Sequence, residues 1–219
     1  YAGLLEKLKV LLDKRFFELQ KYWMLFVENG AAGYRFSVEK NVFEEFYRVK
    51  WPELELPRKI LDCKVQEYFS KKVDYISMNP GSYIFRPLNY EHLTQTELIS
   101  TVDALEVSAR NFLRQNGLET FLEIGNSKLG IILYLKNVDK DRGIEEFGKL
   151  LHFDSPYREI VVVGDQPGFS GNDRIFLNGK FGTPFTVGTR TDGSQIPFPV
   201  DPTGPAGTEF LLRHLRFEN

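Results

Sequence analysis

The sequence lacks several features that mark particular classes of protein. It has a single cysteine, Cys63, which excludes an internal disulfide framework and a zinc site built from cysteines. No apolar run approaches the roughly 20 residues that a membrane-spanning helix needs. A lone cysteine fits a reducing compartment, so we expect a cytoplasmic protein. Because no long apolar run occurs, we expect no contact with a membrane.

The sequence also lacks a dominant charge. It carries 28 lysine and arginine residues against 30 aspartate and glutamate residues, which gives a formal net charge of -2. This balance gives no reason to expect nucleic acid as a partner. With 42% apolar residues among 219 positions, the chain can build a substantial hydrophobic core. We expect a monomer or homodimer that binds a small molecule.

The periodicity of apolar residues predicts an α/β protein with an insertion. Residues 1–37 and 136–219 alternate helix and strand, which is typical of an open sheet, whereas residues 38–135 are predicted to form a separate α+β domain. The predicted helices cover 3–22, 95–115 with Thr94 as N-cap, 142–152, 206–215 and two short segments within 41–72. The predicted strands cover 24–28, 34–38, 159–163 and 185–187, together with 121–124 and 129–135 around a turn at Gly125-Asn126. Residues 73–87 are predicted to form one strand or a hairpin, with a turn at Asn79-Pro80-Gly81.

An acidic loop follows the all-apolar strand predicted over 159–163. Asp165 stands at the carboxyl end of this strand, which is where ligands bind in open α/β sheets. The glycine-containing loop 166–171 can return Asn172 and Asp173 to the same point. Two carboxylates and an amide are hard oxygen ligands that suit Mg²⁺. The alternative is an ordinary Gly-Asp turn in which Asn172 or Asp173 caps the next helix.

Lys140 is the second candidate for a chemical role. It lies between the predicted strand 129–135 and the predicted helix 142–152. A lysine at this position could neutralise the charge that develops on a transferring phosphoryl group. The alternative is a surface lysine within the charged run 136–142.

These motifs, in this order, resemble those of the haloacid dehalogenase (HAD) superfamily. Val161–Asp165 followed by Asn172-Asp173 looks like its fourth motif, and Val138-Asp139-Lys140 followed by Gly143 is similar to its third. The segment 26–32 resembles the strand and turn after the second motif in the sugar-phosphatase-like branch with a C2-type cap. The resemblance implies a HAD-like Rossmannoid parallel-sheet core with an α+β cap domain inserted at 38–135.

The resemblance also implies a reaction and roles for individual residues. The family transfers a phosphoryl group through an aspartyl phosphate, with Mg²⁺ as cofactor. Carried onto this sequence, Lys140 would be the phosphate clamp, Asp165 a metal ligand, and Asn172 and Asp173 the outer support of the metal.

Three further residues are predicted to contact the substrate. Asn29 and Gly30 form the turn after the strand 24–28, beside the expected site. In the cap we predict Arg86 as a contact, because a guanidinium suits a phosphate or a pair of sugar oxygens.

One part of the family pattern is absent. The nucleophile motif, Asp-x-Asp-x-Thr after an apolar strand, does not occur in the sequence. We therefore expect either that a preceding segment supplies it, which we favour, or that the chain is not a catalyst.

The leading interpretation is a Mg²⁺-dependent phosphatase that hydrolyses a sugar phosphate or a similar small phosphorylated metabolite. A phosphomannomutase-like phosphohexomutase is an alternative, suggested by the long spacing from Asp165 to Asp173. The few arginines of the cap region favour hydrolysis over that alternative. A non-catalytic HAD-fold binding protein is the third possibility.

Overall fold

A computed structural model of the protein describes residues 22–52, 57–127, 129–152, 160–168, 173–189 and 196–216. The helix predicted over 3–22 therefore lies almost entirely outside the described residues. Within the described ranges, no helix is both long enough and apolar enough to cross a membrane.

The first sheet is antiparallel and has the order β1-β2-β3. It consists of β1 (Met24–Val27), β2 (Ala32–Ser37) and β3 (Val42–Arg48), with the 3-10 turn Glu28–Gly30 between β1 and β2. The sequence predicted a short helix where β3 lies, and that prediction was wrong. β3 is an edge strand with charged residues on both faces, so it lacks the apolar alternation that would have identified it.

The pairing of β3 with β2 crosses the domain boundary predicted at residue 37. Ser37 lies opposite Val42, and the pairing continues to Ala32 opposite Arg48. The division into a core of 1–37 and 136–219 and a cap of 38–135 stays a prediction, and in the structure β3 belongs to the same sheet as β1.

The second sheet is antiparallel and has four strands in the order β4-β5-β7-β6. The strands are β4 (Val73–Met78), β5 (Ser82–Pro87), β6 (Leu122–Asn126) and β7 (Ile131–Leu135). The hairpin β4-β5 turns at residues 79–81, as predicted. Strands β6 and β7 were also predicted, but the turn predicted at Gly125-Asn126 was wrong, since both of those residues pair with β7.

Two helices pack with this second sheet. They are α1 (Arg58–Phe69) and α2 (Gln95–Gln115). The predicted N-cap of α2 is confirmed: the Thr94 hydroxyl accepts from the Glu97 N–H, and the Glu97 carboxylate accepts from the Thr94 N–H at 2.9 Å. The largest apolar cluster joins these helices to the sheet through the buried side chains of Leu61, Val65, Phe69, Tyr83, Phe85, Val102, Phe112, Ile131 and Leu133.

The third sheet is parallel and has the order β10-β9-β8. The strands are β8 (Val161–Gly164), β9 (Thr183–Thr186) and the two-residue β10 (Phe198–Pro199). β8 pairs with β9 in parallel, but of its residues only Val162 is buried and the others are half-buried, so the predicted burial on both faces is incomplete. One face packs against α3 (Lys140–Leu151), and the other packs near α4 (Pro205–His214).

Candidate phosphate and metal site

Asp165 follows the last residue of β8, at the carboxyl end of the parallel sheet. Gly164 pairs with Thr186 of β9, whose hydroxyl donates to the Gly164 carbonyl at 3.1 Å. These bonds fix the strand end, and the Asp165 side chain that follows is exposed. The position is the one that the sequence predicts for a ligand-binding carboxylate.

The chain returns to this strand end at Asp173, as the sequence predicts. The Asp173 side chain is only 3% exposed. Its Oδ2 accepts from the backbone N–H groups of Asp165 at 2.9 Å and Gln166 at 3.0 Å. Asp173 therefore holds the loop that carries Asp165. Asn172, the third predicted metal residue, lies outside the described residues.

Lys140 reaches the same loop from a different part of the chain. It is the first residue of α3, after the N-cap Asp139, whose carboxylate accepts from the Arg142 N–H at 3.3 Å. The Lys140 ammonium donates to Oδ1 of Asp173, which forms an ion pair. The Lys140 side chain is about one-third exposed, so it contacts the buried carboxylate of Asp173 and is also accessible to solvent. Lys140 therefore forms an ion pair, and its role as a phosphate clamp stays a prediction.

The pKa values of Asp173 and Asp165 are shifted in opposite directions. Burial alone would raise the pKa of Asp173, but its bond to Lys140, the charge of Lys140 and the two backbone amides together lower it. Partial desolvation and the nearby Asp173 carboxylate raise the pKa of Asp165. Asp173 therefore stays ionised beside Lys140, whereas Asp165 has an environment that an added positive charge would stabilise.

Gly164 allows the close approach of Asp173 to the strand. A Cβ placed on Gly164 would lie 2.8 Å from Asp173 Oδ2 and 2.9 Å from its Cγ. These distances are shorter than real Cβ contacts, so a side chain at 164 would displace the Asp173 carboxylate. Within the Gly-Asp pair of the sequence motif, Gly164 leaves space for the Asp173 carboxylate, and Asp165 places an exposed carboxylate at the end of β8.

The Asn29-Gly30 turn lies against the start of α3. Gly30 has a φ of +90°, and a Cβ there would lie 2.3 Å from the Asp139 carbonyl oxygen. Asn29 adopts the left-handed conformation, with a φ of 56°. The structure thus brings Asn29 and Gly30 beside Lys140, as the sequence predicts, and their contact with a substrate stays a prediction.

Two cavities meet at Lys140 and Asn29. The first, of about 650 Å³, lies between β1, α3 and β8 and is lined mainly by apolar residues such as Phe26, Ile144 and Val162. The second, of about 290 Å³, is more polar. Its lining includes Glu106, Arg110, Asn126 and Tyr134 from the segment predicted as a cap, and Asp139 and Arg174 on the opposite side.

Arg86 is not brought into this group. Its guanidinium donates to the Leu129 carbonyl at 3.4 Å and lies 5.4 Å from the Tyr90 ring centroid. It lies on β5 four residues beyond Ser82, and it does not line either cavity that contains Lys140. As a substrate contact Arg86 remains a sequence-based prediction without a structural counterpart among the described residues.

Sequence reasoning missed the residues of the second cavity. Glu106 and Arg110 are four residues apart on α2 and form an ion pair, which in a sequence is indistinguishable from an ordinary exposed helix pair. The signal in the sequence that could have indicated this cavity was Asn126, a polar residue at the end of β6. Only the packing of α2 next to β6 shows that Glu106 and Arg110 face Lys140.

The donor set fits a hard divalent cation in part. Asp165 offers an exposed carboxylate, whereas the Asp173 oxygens already accept from Lys140 and two amides. Asp173 therefore suits the supporting role and Asp165 the ligand role, with Mg²⁺ as the cation that such oxygens prefer. In the part of the chain that the structure describes, no three or more His, Cys, Asp or Glu side chains form a complete metal site.

Comparison with known proteins gives a likeness of structure alone. No protein-family model matches the sequence, and no curated protein matches it. The chain resembles the N-terminally truncated IMP-nucleotidase of Plasmodium falciparum, with a TM-score of 0.57 and 18% identity over 95% of its length. It resembles an IMP-bound variant of that protein with a TM-score of 0.58 and 16% identity over 97%.

A Thermoplasma acidophilum protein is similar to the same degree. Its TM-score is 0.57, with 16% identity over 97% of this chain and 77% of that one. By contrast, the chain spans only 56% of the truncated nucleotidase and 54% of its IMP-bound variant. At these identities the likeness establishes the fold, a mixed α/β architecture that supports the HAD-like fold expected from the motifs.

Proposed function

We propose that this chain carries the phosphate- and metal-binding half of a HAD-type phosphatase. The reaction is the Mg²⁺-dependent hydrolysis of a phosphomonoester, with a sugar phosphate or a similar small phosphorylated metabolite as substrate. The observation that carries the proposal is the convergence of Lys140, Asp165 and Asp173, from segments far apart in sequence, at the carboxyl end of β8.

The arrangement suits phosphoryl transfer because it separates positive from negative groups. Lys140 presents an ammonium to the open side of the site, where it would pair with the oxygens of a phosphoryl group. Asp173 holds that ammonium in place and remains ionised. Asp165 would hold Mg²⁺, with Asn172, from the sequence, as part of its outer support, and the cation would supply positive charge to the transferring group.

The nucleophilic aspartate that the HAD resemblance implies would lie beside β8. Among the described residues β8 pairs only with β9, and its other edge faces the apolar cavity of about 650 Å³. A parallel strand added at this edge would end beside Lys140 and Asp165. We propose that the strand bearing the nucleophile pairs there, so that the aspartyl phosphate forms next to the Lys140 ammonium.

A second candidate function follows from the missing motif. The sequence contains no Asp-x-Asp-x-Thr segment after an apolar strand, so the chain could bind a phosphorylated ligand without turning it over. This alternative uses the same Lys140 and Asp165 contacts. It differs from the enzyme in one measurable respect, which is the release of inorganic phosphate.

The test is a phosphate-release screen of the full-length protein on a panel of sugar phosphates, with and without Mg²⁺. Turnover that depends on Mg²⁺ and is lost in Asp165→Asn supports the phosphatase. Unchanged turnover in Asp165→Asn would remove Asp165 from the metal site. Glu67→Gln, which changes an exposed carboxylate on α1 that lines neither cavity containing Lys140, serves as the matched control.

Binding assays separate the two candidates where no turnover occurs. Inorganic phosphate that binds the chain and requires Lys140, with no release from any substrate, supports the binding protein. If phosphate binds equally well to Lys140→Met, both proposals fail, because both place the phosphate on Lys140.

A further inference from the structure

We infer that Glu106 and Arg110 form the subsite for the leaving group, and that this subsite selects substrates whose alcohol half is an uncharged polyol. The inference rests on the proposed function, because it takes Lys140 as the phosphate end of the cleft. It adds the class of leaving group and the residues that recognise it.

The subsite is built from two elements that are adjacent in the fold. Glu106 and Arg110 lie one turn apart on α2, and Asn126 is the last residue of β6. The Arg110 guanidinium donates to Oε1 of Glu106, and Asn126 Nδ2 donates to Oε2 of Glu106 at 3.1 Å. The Glu106 carboxylate is therefore oriented by two partners, and its side chain is only 23% exposed.

The opposite side of the same cavity carries the phosphate-binding end. Lys140, Asp139 and Asn29 line it together with Glu106 and Arg110, within a volume of about 290 Å³. A ligand whose phosphate meets Lys140 would therefore place its remaining atoms against Glu106, Arg110 and Asn126. The apolar side chain of Ile132 and the ring of Tyr134 line the cavity as well.

The chemistry of the pair suits hydroxyl groups. A hydroxyl donates one hydrogen bond and accepts others, so it can bond to a carboxylate and a guanidinium at the same time. A carboxylate has about four acceptor positions, of which Arg110 and Asn126 use two on Glu106. Vicinal hydroxyls of a sugar would match the remaining positions.

The same pair disfavours a second phosphate. The positive charge of Arg110 is already balanced by Glu106, and Asp103 also lies near, since it accepts from Asn126 Nδ2 at 3.4 Å. A phosphate dianion placed beside Glu106 would meet two carboxylates and the guanidinium of Arg110, whereas Arg174 lines the cavity together with Asp139 and Lys140. The subsite therefore favours a monophosphate over a bisphosphate. Because a mutase must retain a bisphosphorylated intermediate, this preference supports hydrolysis over the phosphohexomutase alternative.

The experiment measures binding, so it does not depend on the nucleophile. Calorimetric titration of the full-length protein with Mg²⁺ would compare inorganic phosphate, fructose and ribose monophosphates, and fructose bisphosphate. We expect at least one monophosphate to bind about tenfold more tightly than inorganic phosphate, because it adds charge-assisted hydrogen bonds to Glu106 and Arg110. Fructose bisphosphate should bind more weakly than that monophosphate.

Two variants should change selectivity in opposite directions. Glu106→Gln removes the negative charge, so fructose bisphosphate should bind more tightly while the advantage of the monophosphate over inorganic phosphate falls by about tenfold. Arg110→Gln should weaken both sugar ligands, and the bisphosphate more, because Glu106 then lacks its counter-charge. Arg114→Gln, which removes an arginine one turn further along α2 that pairs with Glu119, should change nothing.

The outcomes separate this inference from the proposed function. Inorganic phosphate that fails to bind the parent protein overturns the proposed function and this inference with it. Inorganic phosphate that binds, with the same sugar selectivity in the parent protein, Glu106→Gln and Arg110→Gln, overturns the subsite alone. Circular dichroism checks that each variant is folded, and Arg110→Lys, which keeps the charge but loses the planar donors, provides a milder substitution.

Discussion

The ammonium of Lys140 and the carboxylate of Asp173 form an ion pair between residues that lie 33 positions apart in the sequence. The pair joins the first turn of α3 to the loop after β8. It gives one lysine two functions, which are to neutralise a buried carboxylate and to present positive charge to the site. The consequences for stability and for ligand binding can be measured separately.

Replacing Lys140 with methionine should destabilise the protein. Asp173 is 3% exposed and would become a buried carboxylate without a counter-charge. Breaking a fully buried pair costs about 3–5 kcal/mol, and because Lys140 is one-third exposed we expect about 2–3 kcal/mol. Urea denaturation at neutral pH measures the change in the free energy of unfolding.

A double-mutant cycle provides the control for that measurement. Asp173→Asn removes the carboxylate that Lys140 neutralises, so the added loss from Lys140→Met should be much smaller in that background. Additive losses in the double variant would show that the ion pair does not link α3 to the loop.

Replacing Asp141 with asparagine should stabilise the protein at neutral pH. The Asp141 side chain is 7% exposed, and its Oδ1 has no hydrogen-bond partner. Burial, together with the charge of nearby Asp139, raises the pKa of Asp141 to about 6. The folded protein binds the proton of the Asp141 carboxyl more tightly than the unfolded chain does. The stabilisation from this protonation is therefore complete at low pH and is lost as the pH rises through about 6.

The expected gain at neutral pH for Asp141→Asn is about 1–2 kcal/mol, since the positive end of the helix dipole of α3 offsets part of the cost of the charge. Urea midpoints between pH 4 and pH 7 test this, because the gain should grow as the pH rises. Asp201→Asn, at an exposed aspartate, should show no such trend. A gain for Asp141→Asn that is equally large at pH 4 would contradict the assignment.

Glu28 connects the turn beside Lys140 to the hairpin turn of the second sheet. Its Oε2 accepts from the Gly81 N–H at 2.5 Å, and its Oε1 lies 3.5 Å from Arg48 Nη1. Glu28→Ala should leave the Gly81 amide without its acceptor and the Arg48 guanidinium without this counter-charge, at a cost of about 1–3 kcal/mol. Hydrogen exchange at the Gly81 amide measures the loss directly.

Glu28→Gln is the conservative comparison for this link. The glutamine keeps a carbonyl oxygen for the Gly81 amide but loses the charge that faces Arg48. Protection of the Gly81 amide should therefore largely survive in Glu28→Gln and disappear in Glu28→Ala. Equal exchange rates in the two variants would indicate that the bond to Gly81 does not join the two sheets.

Two glycine substitutions should change different properties, one the binding of phosphate and the other the stability of a helix. Gly164→Ala would place a methyl group 2.8 Å from Asp173 Oδ2, so it should displace that carboxylate and weaken the binding of inorganic phosphate. Gly148→Ala lies within α3, where a Cβ meets nothing within 4 Å, and it should stabilise the helix by about 0.5–1 kcal/mol. Phosphate binding unaffected by Gly164→Ala would show that Asp173 does not need this close approach.

The sequence by itself determined most helices and strands and the position of the candidate site along the chain. Apolar periodicity identified α2, and the Thr94 to Glu97 spacing identified its start, because these signals depend on residues only a few positions apart. The all-apolar β8 and the Gly-Asp pair after it were also visible, since a strand covered on both faces has a distinctive composition. β3 was missed because an edge strand does not need apolar alternation.

Only the tertiary structure decided which charged residues act together. The sequence places Lys140 and Asp173 in separate charged segments, and their pairing depends on how α3 packs against β8. For the same reason Arg86, which was predicted from its residue type, lines neither cavity that contains Lys140, whereas Arg110 and Glu106 line one of them. Local patterns determine elements, but the distance between two side chains on different elements depends on the packing of the whole chain.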